Sequence, residues 1–278
     1  MFHPRSCGAA GLLALCMIVH PLAQRTAQVS PADQQIFETF RTWMTGNPDS
    51  MKGDVEANYR DELKKQGVAP AEIDRRLKVI DDVANRMEAE RWNRILTASK
   101  PSFNTRPNAF LVDMVRDVKP GAALDVGMGQ GRNAIYLAQQ GWAVTGFDPA
   151  DRAVAAAQQE AARLGVKLTT LVARDDQFEF KKDSWDLVVL SYVGAREYPD
   201  RVFDALRPGG MVVVEAFHRD ATKAGPIGPA VVFETNELLK LFSRFRILRY
   251  EDTDATADFG LERLRVVRLC AQKPASAP

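Results

Sequence analysis

The chain is poor in cysteine and histidine, and neither sign of charge is in excess. Its cysteines are Cys7, Cys16 and Cys270, and only Cys270 lies beyond an apolar amino-terminal run. A chain processed behind that run keeps one thiol, which excludes an intrachain disulfide and a cysteine-built metal site. Of the three histidines only His218 lies outside the same segment, so a zinc or non-haem iron centre lacks ligands and no metal is expected. Lys plus Arg number 37 against 36 for Asp plus Glu, which leaves no basic field to favour nucleic acid and no acidic excess to favour basic partners. Basic residues interleaved with aromatics are also missing, so the expected partner is a small molecule rather than a nucleic acid. The apolar run from Ala9 to Val19 is too short to cross a bilayer as a mature helix, and no stable transmembrane span is expected.

That run nevertheless has a form. A weakly positive start with Arg5, the apolar stretch, then His20 and Pro21 before the small Ala23 make the three parts of a signal peptide over residues 1–23. Export, to the periplasm in a bacterium, is the expectation; a leader that does not function leaves the chain in the cytoplasm.

Residues 30–99 are predicted to form a helical appendage. Ser30 is placed as an N-cap with Pro31 behind it, opening a helix that ends near Gly46. A second helix is expected from Lys52 to Gln66, closed by Gly67. A third, after Pro70, carries Ile73, Leu77, Ile80, Ala84 and Met87 on one stripe. The polar, proline-bearing segment from Thr97 to Asn108 reads as a loop into a second domain, residues 108–273. There a helix (Ala109 to Val118) precedes short apolar runs at Ala123–Val126, Ala143–Phe147, Leu168–Val172, Leu187–Ser191 and Met211–Ala216, separated by helical patterns. One further helix, TNELLKLF, and strand-like runs at Phe245–Tyr250 and Leu264–Ala271 follow. The alternation predicts an α/β domain, a parallel sheet with helices on both faces.

The first apolar run leads into ALDVGMGQGRN, with glycines at Gly127, Gly129 and Gly131. Without side chains they let backbone approach a ligand, and the helix start behind them suits a carboxylate or phosphate. The spacing Gly-x-Gly-x-Gly departs from the dinucleotide pattern Gly-x-Gly-x-x-Gly, and no Gly-Lys-Ser or Gly-Lys-Thr follows for a phosphate loop. Asp148, ending the second run, is placed to accept ribose hydroxyls, a feature that NAD would share.

LDVGMGQGRNAIYLAQQGWAVTGFDP, then SWDLVVLSYV, then LRPGGMVVVEAF resemble, in order and spacing, the motifs of class I S-adenosylmethionine-dependent methyltransferases. They look most like the small-molecule branch that includes tellurite-resistance and thiopurine-type enzymes. Met128 departs from the pattern, since relatives often carry Cys, Ala or Thr there. The resemblance implies a Rossmann-like, seven-stranded, mostly parallel sheet with an antiparallel last strand, S-adenosyl-L-methionine as cofactor, and methyl transfer to a small-molecule acceptor by direct displacement. It also implies that Asp125, Gly127, Gly129 and Gly131 surround the methionine part of the donor and that Asp148 holds the ribose. Asp175 or Asp176, with Phe178, would flank adenine.

At the carboxyl ends of later strands, His218 is a candidate general base or a strand cap, and Tyr192 a candidate acceptor-orienting group or a packed aromatic. Glu215 is a lesser candidate. The loop from His218 to Thr235 is placed to face substrate, and Trp92, Phe103 and Asn104 could form a lid. Two other functions compete: a catalytically inactive donor-fold protein acting as a scaffold, and an NAD-linked oxidoreductase, which the glycine spacing disfavours.

Overall fold

A computed structural model describes residues 29–275; the predicted leader lies outside them. The chain divides into two compact units, one ending at Val83 and one beginning at Ala84.

The first unit is helical. α1 (Pro31–Gly46) starts where Ser30 Oγ accepts the Asp33 N–H at 3.1 Å. α2 (Val55–Lys65) begins later than expected, because a 3-10 turn occupies Pro48–Met51 and Asp54 is the cap, accepting from Ala57 N–H. α3 (Pro70–Leu96) starts in this unit and contributes Ile73, Leu77, Ile80 and Val83 to a core with Phe37, Tyr59 and Leu63. The stripe expected to continue through Ala84 and Met87 stops at Val83, and both of those side chains are exposed.

The last turns of α3 belong to the second unit, which therefore begins earlier than the expected Asn108. Asn93, buried, donates to Asp151 Oδ1 at 2.7 Å and accepts the Arg152 N–H at 2.9 Å, while Leu96 packs on Ala150 and Ala153. The unit then runs α4 (Ala109–Val115), β1 (Ala122–Val126), α5 (Arg132–Gln139), β2 (Ala143–Asp148), α6 (Asp151–Arg163), β3 (Thr169–Val172), β4 (Trp185–Ser191), α7 (Pro199–Ala205), β5 (Leu206–His218), β6 (Val232–Phe233), α8 (Glu237–Leu241), β7 (Arg246–Thr256) and β8 (Arg263–Gln272).

The strands lie in the order β3-β2-β1-β4-β5-β8-β7, with β8 antiparallel to both of its neighbours and the other pairs parallel. This is the expected sheet with one addition: β6, two residues inside the His218–Thr235 loop, pairs with the end of β5. Leu124, Val126, Val188 and Leu190 face one buried layer, and Ala123, Leu187 and Val189 face the other. Burial on both faces is why these strands read as continuous apolar runs. Alternation along β1 sends Asp125 to the Ala123 side, at the strand's carboxyl end. Cys270 sits in the middle of β8, buried, opposite Val213 on β5 and Arg249 on β7.

Candidate active site

β1 cannot continue past Val126, because Gly127, Gly129 and Gly131 all hold left-handed backbone, with φ of +63°, +55° and +81°. A side chain at Gly127 would lie 2.5 Å from Val193 Cγ1, and one at Gly131 would lie 2.8 Å from Ala157 Cβ. Both positions thus require glycine twice over, by conformation and by space. Gly127 and Gly129 line a cavity of about 380 Å³, whereas Gly131 does not and instead lets α5 start close against α6. Met128 turns its side chain away, into a buried cluster with Val154 and Ala157 and beneath Gly146, so the unusual residue is a packing choice.

Two buried acids flank this turn. Asp148 Oδ2 accepts the Gly129 N–H at 2.9 Å and Oδ1 accepts the Ala150 N–H at 2.8 Å. Burial raises its pKa while these bonds oppose the rise. Asp125 is less well served: it accepts from the Ala134 backbone N–H, but Oδ2 is buried without any partner. Burial pushes its pKa up to about 7, against the pull of the Arg132 charge, with the Asp148 charge adding to the rise. Such an atom calls for a cationic donor from a ligand.

Of the pair left open by sequence, Asp175 lines the cavity, and Asp176 turns outward to Arg174 with an Nε–Oδ1 distance of 2.9 Å. Phe178 does not reach the cavity. Half-buried, it stacks on Phe147 of β2, ring centroids 4.3 Å apart, so the structure does not place it on the wall where it was expected to cover a base. Tyr198, beside Asp175, lines the space instead.

Tyr192 also lines the cavity, from left-handed backbone at φ +56°. Its hydroxyl donates to Glu215 Oε1 at 2.8 Å and accepts the Asp258 N–H at 3.1 Å, and Arg268 donates to the other Glu215 oxygen at 2.7 Å. Burial, reinforced by the Glu215 charge, pushes the phenol far above its ordinary pKa, so it keeps its proton at neutral pH. His218 is absent from the cavity wall. Its Nδ1 accepts the Asp220 N–H, which leaves Nε2 to donate to Thr235 Oγ1 at 2.9 Å. It is the cap of a 3-10 turn, not a base beside the donor.

One aromatic wall residue, Phe259, carried no signal in the sequence. Trp92 and Phe103 do line the cavity, as a lid would, and both contact Phe259 from the turn joining β7 and β8. That turn is tied down by Asp258, which accepts from Arg132 at 2.7 Å, Asn108 at 2.7 Å and Asn104 at 2.9 Å. Asn104 therefore anchors the cover rather than facing the ligand. Among the described residues, no cluster of His, Cys, Asp and Glu could hold a metal.

A methyltransferase-domain family model matches residues 123–210, which span β1 through the first part of β5. The chain is similar to Hemagglutinin 1 of Eikenella corrodens, 27% identical over 61% of this chain and 60% of that protein. It is similar to the probable S-adenosyl-L-methionine-dependent methyltransferase TehB of Haemophilus influenzae, 24% identical over 55% of this chain and 56% of that one. A ubiquinone biosynthesis O-methyltransferase of Paramagnetospirillum magneticum is 35% identical over 35% of this chain and 41% of its own. The chain thus spans about 60% or less of each of these relatives. Among solved structures, a crystal structure of TehB from Haemophilus influenzae shares the fold with a TM-score of 0.50, at 19% identity over 60% of this chain and 62% of that one. A chain solved for the conversion of a disulfide bond into a thioacetal group during echinomycin biosynthesis reaches 0.55, at 18% identity over 68% of this chain and 94% of that one.

S-adenosylmethionine fits the wall as built. Its ammonium would give Asp125 Oδ2 the partner it lacks, its ribose would meet the remaining lone pairs of Asp148, and its adenine would lie on the side of Asp175. The matched methyltransferase-domain model lies on the very strands that raise these groups, and the solved structures share their sheet: residues 123–210 of this chain are similar to a methyltransferase domain, on the fold of such enzymes.

Proposed function

We propose that the chain transfers a methyl group from S-adenosylmethionine to a small-molecule acceptor by direct displacement. The observation that carries this reading is the buried, unpartnered Asp125 Oδ2 beside the left-handed glycine turn, on the wall of a cavity of about 380 Å³.

The bound sulfonium supplies an activated methyl group, so the chain's work is to hold, align and dry the site. Asp125 holds the ammonium. The first N–H groups of α5 face the carboxylate. Asp148 keeps the ribose in register with the turn, because the same carboxylate fixes Gly129 N–H. Trp92, Phe103 and Phe259 exclude water from above. The name of the TehB relative supports methyl transfer from this donor, and that of the ubiquinone biosynthesis O-methyltransferase supports a small acceptor.

Calorimetry on the full chain tests the donor: S-adenosylhomocysteine and S-adenosylmethionine should bind, NADH should not, and the reverse result overturns the reading. An acceptor screen that reports S-adenosylhomocysteine production tests the transfer. Tight donor binding with no turnover on any acceptor would favour a scaffolding protein.

A further inference from the structure

The cavity crosses the sheet. Its polar groups stand at the carboxyl ends of β1 and β2 and just beyond β3, where Asp125, Asp148 and Asp175 lie. On the other side of β1, beyond β4 and at the β7–β8 turn, the wall becomes aromatic. Phe259 is the hub there. Its ring stacks on Phe103 at 5.6 Å and meets the edges of Tyr192 at 5.3 Å and Trp92 at 6.0 Å. These four rings come from four separate segments. A bridge between Phe103 and Phe259, with Gly260 N–H donating to Ser102 O at 2.9 Å, holds two of the segments together. Val193, Ala230 and Val231 complete an apolar surface next to the donor's place.

The titratable groups of the wall are already engaged. Asp125 and Asp148 belong to the donor side, and Asp175 faces Arg201 at 3.7 Å. Exposed Glu88 pairs with Arg91, Arg174 with Asp176, and Arg132 with Asp258. The Tyr192 hydroxyl donates to Glu215, and Tyr198 is a phenol beside Asp175. No histidine stands among the described residues of the wall. An acceptor that must lose a proton during transfer finds no free base here.

Resting on the methyltransferase reading, we propose that Trp92, Phe103, Tyr192 and Phe259 form the acceptor subsite, and that it takes a planar aromatic acceptor whose hydroxyl is ionised before it binds. Flat rings fill a space walled by ring faces and edges with little conformational cost. The proton leaves to solvent beforehand. In the transfer the phenolate oxygen supplies the electron pair of the new O–CH3 bond, the carbon–sulfur bond breaks, and its pair remains on sulfur as a neutral thioether.

The probes are 4-nitrophenol and cyclohexanol, titrated calorimetrically into full chain saturated with S-adenosylhomocysteine and then tested for turnover. 4-Nitrophenol should bind and be methylated, with a rate that rises with the phenol's own ionisation across a substituted series; cyclohexanol should do neither. Phe259→Leu, which keeps apolar bulk, and Trp92→Ala should weaken nitrophenol at least about tenfold, well beyond any loss of S-adenosylhomocysteine affinity, and Trp92→Phe should restore most of it. Equal methylation of cyclohexanol, or nitrophenol binding that ignores both variants, overturns the proposal. Loss of S-adenosylhomocysteine binding to the wild-type chain would instead overturn the methyltransferase reading beneath it.

Discussion

Asp148 Oδ2 accepts the Gly129 N–H at 2.9 Å, so the acid that ends β2 also holds the turn that ends β1. Asp148→Asn puts an amide in a place where both oxygens receive backbone N–H groups, and one donor then faces another. A loss of about 1–3 kcal/mol in unfolding free energy is expected, read by urea denaturation. S-adenosylhomocysteine binding should weaken with it.

Asp125 sets a pH dependence. Its folded pKa, about 7, lies above the ordinary carboxylate value, so its contribution to stability is full below about pH 4. That contribution fades as pH rises towards 7, because the unfolded chain ionises first. An ammonium placed beside Oδ2 favours the ionised form, so donor-product binding should release up to about one proton and tighten as pH rises from about 6 to 8. Calorimetry in buffers of different ionisation enthalpy measures the release. In Asp125→Asn the release should vanish, and its persistence would assign the proton elsewhere.

The glycines separate strain from contact. Gly165, at φ +68° with open space around it, should cost about 1–2 kcal/mol when changed to Ala and leave donor binding alone. Gly127→Ala drives a methyl into Val193 at the cavity wall and should cost more than this in stability, with at least about a tenfold loss of S-adenosylhomocysteine affinity. Equal binding by both variants would detach the turn from the donor site.

His218→Ala should lower turnover by less than about threefold, since a general base would be worth about 10²-fold or more. Stability should fall by about 1 kcal/mol with the lost cap. Tyr192→Phe leaves Glu215 bound by Arg268 but strands the Asp258 N–H, so stability should drop while the pH profile of turnover stays in place. A shifted profile would make the phenol a proton carrier.

Much of the fold was legible because both sheet faces are buried, and β4 and β5 therefore carry the unbroken apolar runs Leu187–Leu190 and Met211–Val214. The left-handed turn was equally plain, since only glycine suits Gly127 and Gly131. The choice between Asp175 and Asp176 was not, because neighbouring residues in a loop differ only in direction. Phe178 misled for a similar reason: its ring looks the same in sequence whether it faces a ligand or Phe147. Phe259 and Asp258 carried no signal at all. Their partners Trp92, Phe103 and Arg132 lie more than a hundred residues away, and only sheet closure through β8 brings the turn back.

Cys270, enclosed between β5 and β7, turns that closure into something countable. Burial pushes its thiol up to about 11, so the folded chain presents neither access nor thiolate to an alkylating reagent. Labelling at that one sulfur, followed by mass spectrometry, becomes a clock for the parting of the last strands, and a donor analogue that slows it would report ligand-linked opening without any assay of chemistry.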